Sequence, residues 1–100
     1  MTGHDPAFDA VHPSGQVMFR SAPGGYLHSV LLGEAALRTD AETLARAVLL
    51  AAEVSHLKAV MQIREEITAA GLTPSAELAG PADVERAQER LAGHRLCPDL

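Results

Sequence analysis

The stretch at residues 39–71, TDAETLARAVLLAAEVSHLKAVMQIREEITAAG, decides how this chain folds. Between its first and last residues there is neither proline nor glycine, the two residues that most disfavour a helix interior. Thr39 and Glu42 have the spacing of a capping box that starts a helix, and Gly71 supplies a stop. The stretch therefore predicts a helix over residues 40–70, about 45 Å long at 1.5 Å per residue.

This helix carries two apolar stripes, whereas a helix on a protein surface needs only one. At 100° per residue, the first stripe holds Leu49, Ala52, His56, Val60, Ile63 and Ile67. The second, centred about 130° away, holds Leu50, Val54, Leu57 and Met61. One stripe can pack on the segment before the helix. The other needs a cover, either the C-terminal helix of the same chain or the same helix of a second copy. We favour a homodimer, or a heterodimer of the same design, with the second stripe as its interface.

The segment before the long helix has the alternation of β-strands. Residues 16–21 place Val17 and Phe19 on one face, and residues 26–32 form the return strand after a Pro-Gly-Gly turn. Leu27 and Val30 are three residues apart, so they share a face only if a bulge lies near His28. With a short strand at residues 8–11, we expect an α+β fold. Its small antiparallel sheet, a hairpin or three-stranded meander, packs on the long helix.

The segment after the long helix predicts a second, shorter helix. Pro81 suits a first helical position, and Gly93 ends the run at residues 81–92. The domain organisation is therefore a disordered start at residues 1–7, one domain at residues 8–93, and a flexible tail at residues 94–100.

Composition excludes several classes of protein. Of 100 residues, 47% are apolar, but 18 of these are alanine and only 3% of the chain is aromatic, so large core side chains are few. A single cysteine rules out a disulfide scaffold. The first 30 residues lack the continuous apolar segment of a secretory signal, and no apolar run reaches a membrane span. We expect a cytoplasmic protein that does not bind membranes. Arginine outnumbers lysine seven to one, which is typical of high-GC bacteria.

The polar residues do not form a pattern for catalysis or cofactor binding. No two of the five histidines have the i, i+4 spacing of a helical zinc pair, and no serine lies in a Gly-x-Ser-x-Gly context. Phosphate-binding glycine patterns are also absent. We therefore expect no catalytic residue, no metal and no cofactor, and we interpret the chain as a protein that is not an enzyme.

Nucleic-acid binding is disfavoured by charge. Affinity for DNA depends on clustered cations that neutralise phosphates, and this chain has a net charge of −5. Its local basic signals are Arg20 on the hairpin and Arg86 and Arg90 on the last helix, the latter two beside glutamates. These three arginines are the candidate nucleic-acid contacts.

The order of these elements resembles the YbaB/EbfC-like family. The resemblance rests on Gly15-x-Val17-x-Phe19, Leu27-x-x-Val30-x-Leu32, the Thr39-Asp40-x-Glu42 cap and the long alanine-rich helix, over residues 8–70. Within the family, the chain looks most like the actinobacterial branch that includes the type VII secretion-associated proteins EspD and EspH. The resemblance implies a tight dimer. It also implies either nucleoid-associated DNA binding or an accessory, chaperone-like role toward other proteins.

Acidic charge and the doubly apolar helix favour the second of these roles. The expected function is a non-catalytic dimeric module that binds another protein, with nucleoid-associated DNA binding as the alternative.

Overall fold

The structure is a computed structural model that describes residues 8–23 and 26–96. Three strands precede three helices along the chain. They are β1 (Ala10–Val11), β2 (Val17–Ser21), β3 (Leu27–Leu32), α1 (Glu34–Leu37), α2 (Ala41–Ala69) and α3 (Pro81–Ala92). The strands form one antiparallel sheet in the order β1-β2-β3, which confirms the predicted α+β fold and its meander. The predicted disordered start at residues 1–7 and the Gly24-Gly25 turn lie outside the described residues.

The sheet has the predicted alternation and the predicted bulge. Val17 is buried on the face toward α2, and Met18 lies on the opposite face. In the β2–β3 pair, Arg20 faces Ser29 while Ser21 faces Leu27. His28 is therefore the extra residue of a bulge in β3, and this bulge places Leu27 on the same face of the sheet as Val30.

The cap of α2 lies one residue later than the sequence predicted. Asp40, and not Thr39, is the N-cap, because its carboxylate accepts hydrogen bonds from the Thr43 amide at 2.9 Å and the Thr43 hydroxyl at 2.7 Å. These two bonds hold the pKa of Asp40 below its ordinary value. A carboxylate at this position also suits the positive end of the helix dipole. Gly71 ends the helix as predicted, with a φ of 84° that favours glycine.

Small side chains bring the sheet close to α2. Ala47, Ala51, Ser55 and Ala59 recur at four-residue spacing and are fully buried. The Ser55 hydroxyl donates to the carbonyl of Phe8 and lies 2.5 Å from the hydroxyl of Ser21 on β2. Every polar group at this contact therefore has a partner, as burial requires.

The C-terminal helix packs on another side of α2. Pro81 begins it, and the Asp83 carboxylate accepts from the Gly80 amide at 2.8 Å. Ala87 and Leu91 are its buried residues. The predicted short helix is thus confirmed, and it covers part of α2 within the chain.

The first residues of the tail at residues 94–100, which is predicted to be flexible, contact the body of the domain. Leu96 packs against the core, and the His94 ring is hydrogen-bonded to the His12 ring. Two contacts with the body of the domain hold this segment, which local sequence does not reveal. Residues 97–100 lie outside the described residues.

A larger side chain on the small-residue face of α2 should destabilise the protein, whereas the same substitution at the exposed end of the helix should not. Ala51→Leu would force the sheet away from α2, so we expect the free energy of unfolding to fall by about 1–3 kcal/mol. Ala69→Leu, at the exposed end of the same helix, is the matched control and should have little effect. Urea unfolding measures both, and equal midpoints would contradict the proposed packing.

Candidate functional site

Helix α2 has three apolar faces, and the described chain covers two of them. The face that contains Ser55 packs on the sheet, and the face that contains Leu57 packs on α3. The third face is turned about 100° from Ser55, away from the side where α3 meets the sheet. The sheet and α3, which make the extensive contacts with α2 among residues 8–23 and 26–96, pack on its other faces. We name this third face the uncovered stripe; Ala45, Leu49 and His56 on it are exposed, and Ala52, Val60, Ile63 and Ile67 are half-buried.

This arrangement reverses the predicted roles of the two stripes. Leu50 and Val54 were predicted at a dimer interface, but they are 7% and 1% exposed inside one chain and cannot contact a second copy. Leu57 and Met61, the other predicted interface residues, are half-buried on the side of α3. Leu49, from the stripe expected to pack on the hairpin, is 64% exposed. The alternative that α3 covers the second stripe describes this structure.

A second apolar surface lies on the outer face of the sheet. Val11 is directly opposite Met18, and Met18 is directly opposite Leu31, so the three side chains form one row across β1, β2 and β3. Val11 is 47% exposed and Leu31 is 45% exposed. We name these three residues the outer row. The sequence did not reveal it, because a two-residue strand gives no periodicity from which to assign Val11 to a face.

The three candidate nucleic-acid contacts do not form a cationic patch. Arg20 lies on the outer face of the sheet and pairs with Asp9. Arg86 pairs with Asp83 at 2.5 Å, and Arg90 on α3 reaches Glu53 on α2 at 2.7 Å. Each guanidinium thus has a carboxylate beside it; Arg86 and Arg90 line one pocket beside α3, and Arg20 lies on the sheet. Arg20, Arg86 and Arg90 therefore stay candidate contacts only, each beside a carboxylate that compensates its charge.

Two histidines that are 82 residues apart meet at the end of the domain. His12 is fully buried, and its Nε2 lies 2.9 Å from Nδ1 of His94. The Ser14 amide donates to Nδ1 of His12, so Nε2 carries the proton and donates to His94. Burial lowers the pKa of His12 below its ordinary value of 6.5, and the nearby His94 and Arg95 lower it further. The pair joins the β1–β2 turn to the end of α3.

Between α2 and α3 lies a surface cleft of about 470 Å³. Phe8, Met61 and Val84 supply its apolar wall, and Lys58 and Glu85 stand among its polar residues. Lys58 also donates to the carbonyl of Asp9 at 3.0 Å, so its ammonium is engaged in holding β1 to α2. The cleft therefore follows from how two helices diverge, and it adds no cluster of reactive groups.

Metal and membrane interactions gain no support from the described part of the chain. Among residues 8–23 and 26–96, no three His, Cys, Asp or Glu side chains come together as metal ligands would. In the same residues, no helix is long and apolar enough to cross a membrane.

Comparisons with known proteins give relatives without an assigned function. The model of a family described as "Protein of unknown function (DUF2694)" matches residues 1–97. The chain is similar to uncharacterized protein Rv0028 of Mycobacterium tuberculosis and uncharacterized protein Mb0029 of Mycobacterium bovis. It is 57% identical to each over 96 residues, which cover 96% of this chain and 95% of the relative. No solved structure matches the chain.

These matches overturn the resemblance inferred from the order of elements. Neither the family match nor the mycobacterial relatives connect the chain to YbaB/EbfC-like proteins or to EspD and EspH, so that assignment is wrong. A hairpin followed by a long helix recurs in unrelated folds, and no specific motif supported the match. The expected actinobacterial character agrees with the Mycobacterium relatives.

The His12–His94 pair predicts that acid destabilises the protein. Above pH 6.5, His12 is neutral in both states; below it, the unfolded chain takes up a proton that folded His12 resists. The free energy of unfolding should therefore fall from about pH 7.5 to about pH 5. Urea unfolding across this range should show a shallower fall for His12→Gln. The control is His28→Gln at an exposed position, which should retain the wild-type slope. Identical slopes for all three proteins would contradict the proposed role of His12.

Proposed function

The chain belongs to the DUF2694 family of proteins of unknown function, and we propose that it is a non-catalytic module that binds another protein in the cytoplasm. The proposed binding surface is the outer row formed by Val11, Met18 and Leu31. Its partner would present an apolar segment that covers these three side chains.

The single observation that carries this proposal is the apolar character of both faces of the sheet. An antiparallel sheet with one face on a core commonly turns polar residues to water on the other. Here the second face places three large apolar side chains in directly opposed positions, with Val11 and Leu31 nearly half exposed. Burial of each of these three side chains against a partner would remove apolar surface from water and so stabilise the complex. An outer row of this kind is more typical of a recognition surface than of a solvated one.

Charge indicates the kind of protein that would bind. The chain carries −5, and the candidate arginines are engaged with carboxylates. Its electrostatic field therefore attracts basic partners and repels nucleic acid, whose phosphates need uncompensated cations. A basic protein with an exposed apolar segment fits both the field and the outer row.

The non-catalytic part of the proposal rests on how the reactive side chains are used. His12 and His94 bond to each other, and Ser21 and Ser55 bond to each other inside the core. Catalytic groups need access to a substrate, whereas these side chains join separate elements of the fold.

Affinity capture with immobilised protein tests the proposal. Wild-type protein should retain specific proteins from a Mycobacterium lysate, and Leu31→Asp should lose them, because it places a charge in the apolar contact. Leu72→Asp is the matched control, since Leu72 is 65% exposed and lies outside the sheet. Both variants replace an exposed leucine, so thermal unfolding should show each of them folded.

The same capture separates the alternatives. Proteins retained by wild type and by Leu72→Asp, but lost from Leu31→Asp, would support the outer row. An unchanged set of proteins on Leu31→Asp would contradict it. If a labelled DNA duplex binds in a salt-sensitive manner, and alanine at Arg20, Arg86 and Arg90 abolishes that binding, nucleoid-associated DNA binding would replace the proposal.

A further inference from the structure

We propose that a second copy of this chain covers the uncovered stripe, with the two α2 helices antiparallel and crossing at His56. This surface lies on the opposite side of the domain from α3 and does not include the outer row. It therefore makes a claim that is independent of the proposed function.

Self-complementarity of the uncovered stripe points to a second copy as its occupant. In a twofold antiparallel pair centred on residue 56, each residue faces the one equally distant on the other side. Leu49 then faces Ile63, and His56 faces its own counterpart. Small residues face large ones elsewhere: Ala52 faces Val60, and Ala45 faces Ile67. Alternation of small and large side chains across an interface lets two helices interdigitate.

The position of the sheet supports the antiparallel direction. The β1 edge of the sheet lies toward α3, as the His12–His94 contact shows, so β3 is the edge on the side of the uncovered stripe. A twofold axis perpendicular to antiparallel helices places both sheets on the same side of the helix pair. The two β3 edges then face each other. A parallel pair would place the sheets on opposite sides and leave both edges in water.

In the described part of the chain, strand β3 has an unpaired outer edge and an exposed leucine, and such an arrangement would cover both. Within the described residues, only β2 pairs with it, so its outer edge has no partner strand. Leu32 faces the same side of the sheet as buried Val17 but is itself 40% exposed, and α2 packs mainly under β1 and β2. An exposed apolar edge strand is a liability that proteins normally cover. The second copy covers both the edge and the uncovered stripe at once.

Disulfide cross-linking tests the register and the direction together, in a Cys97→Ser background that removes the native thiol. His56→Cys should form a linked dimer rapidly on mild oxidation, since the two thiols meet at the crossing point. Leu49→Cys should not link to itself, because its counterpart lies about 21 Å away along the helix at 1.5 Å per residue. A mixture of Leu49→Cys and Ile63→Cys should link as a mixed dimer.

Two leucine-to-aspartate variants, one on the uncovered stripe and one outside it, show whether the stripe itself holds the copies together. Added to His56→Cys, Leu49→Asp should slow linking by about tenfold or more, because it removes the complex that concentrates the thiols. Leu72→Asp, with the same chemistry and the same exposure, should leave the rate unchanged. Both leucines are exposed in the protomer, so each variant remains folded.

Three results would overturn the proposal. Self-linking of Leu49→Cys as fast as His56→Cys would show a parallel pair. Linking of His56→Cys no faster than Glu65→Cys, on the opposite side of α2, would show that no copy sits on the uncovered stripe. Equal rates with Leu49→Asp and Leu72→Asp would show that the leucine contributes nothing to the contact.

Discussion

The close approach of the sheet to α2 is the constraint on which the rest of the structure depends. It requires small side chains along one face of the helix, and the Ser21–Ser55 hydroxyl contact and the Ser55 bond to Phe8 fix the two layers at that distance. A chain with so few aromatic residues cannot fill a wide gap between layers. Close contact through alanine and serine lets such a sequence bury its core without large side chains.

The close contact between the sheet and α2 determines which surfaces of the protein remain exposed. Because the sheet occupies the alanine and serine face, the larger apolar residues of α2 lie on either side of it. Those around Val54 are covered by α3, whereas Leu49, on the other side, is 64% exposed. The outer face of the sheet is directed away from both helices. The protein thus has two separate apolar surfaces, one beside α2 and one on the sheet, and different partners can occupy them at the same time.

The sequence predicted the elements of this fold well but not their assembly. Alternation along residues 16–21, the bulge at His28 and the uninterrupted helix after Asp40 are local signals, and the structure confirms each of them. The roles of the two stripes could not be predicted, because periodicity shows that both are apolar but not which one α3 reaches. Alanine and serine at the sheet contact carry little hydropathic signal, so the true contact face was not recognised as apolar.

Contacts between residues that are far apart in the sequence could not be predicted either, because local patterns do not show which distant segments meet. No periodicity relates His12 to His94, which lie 82 positions apart. Helical spacing places Arg90 beside glutamates of its own helix, whereas its partner in the structure is Glu53 on α2. Family resemblance inferred from the order of elements failed because a hairpin and a long helix are shared by many folds.

The central claim is that one chain leaves the third face of α2 uncovered and that a second copy covers it. Sedimentation equilibrium of the wild-type protein at several concentrations tests this claim most directly. A mass of about 21 kDa, twice the 10.5 kDa of one chain, is the result that the account predicts. A mass of 10.5 kDa at every concentration would contradict it.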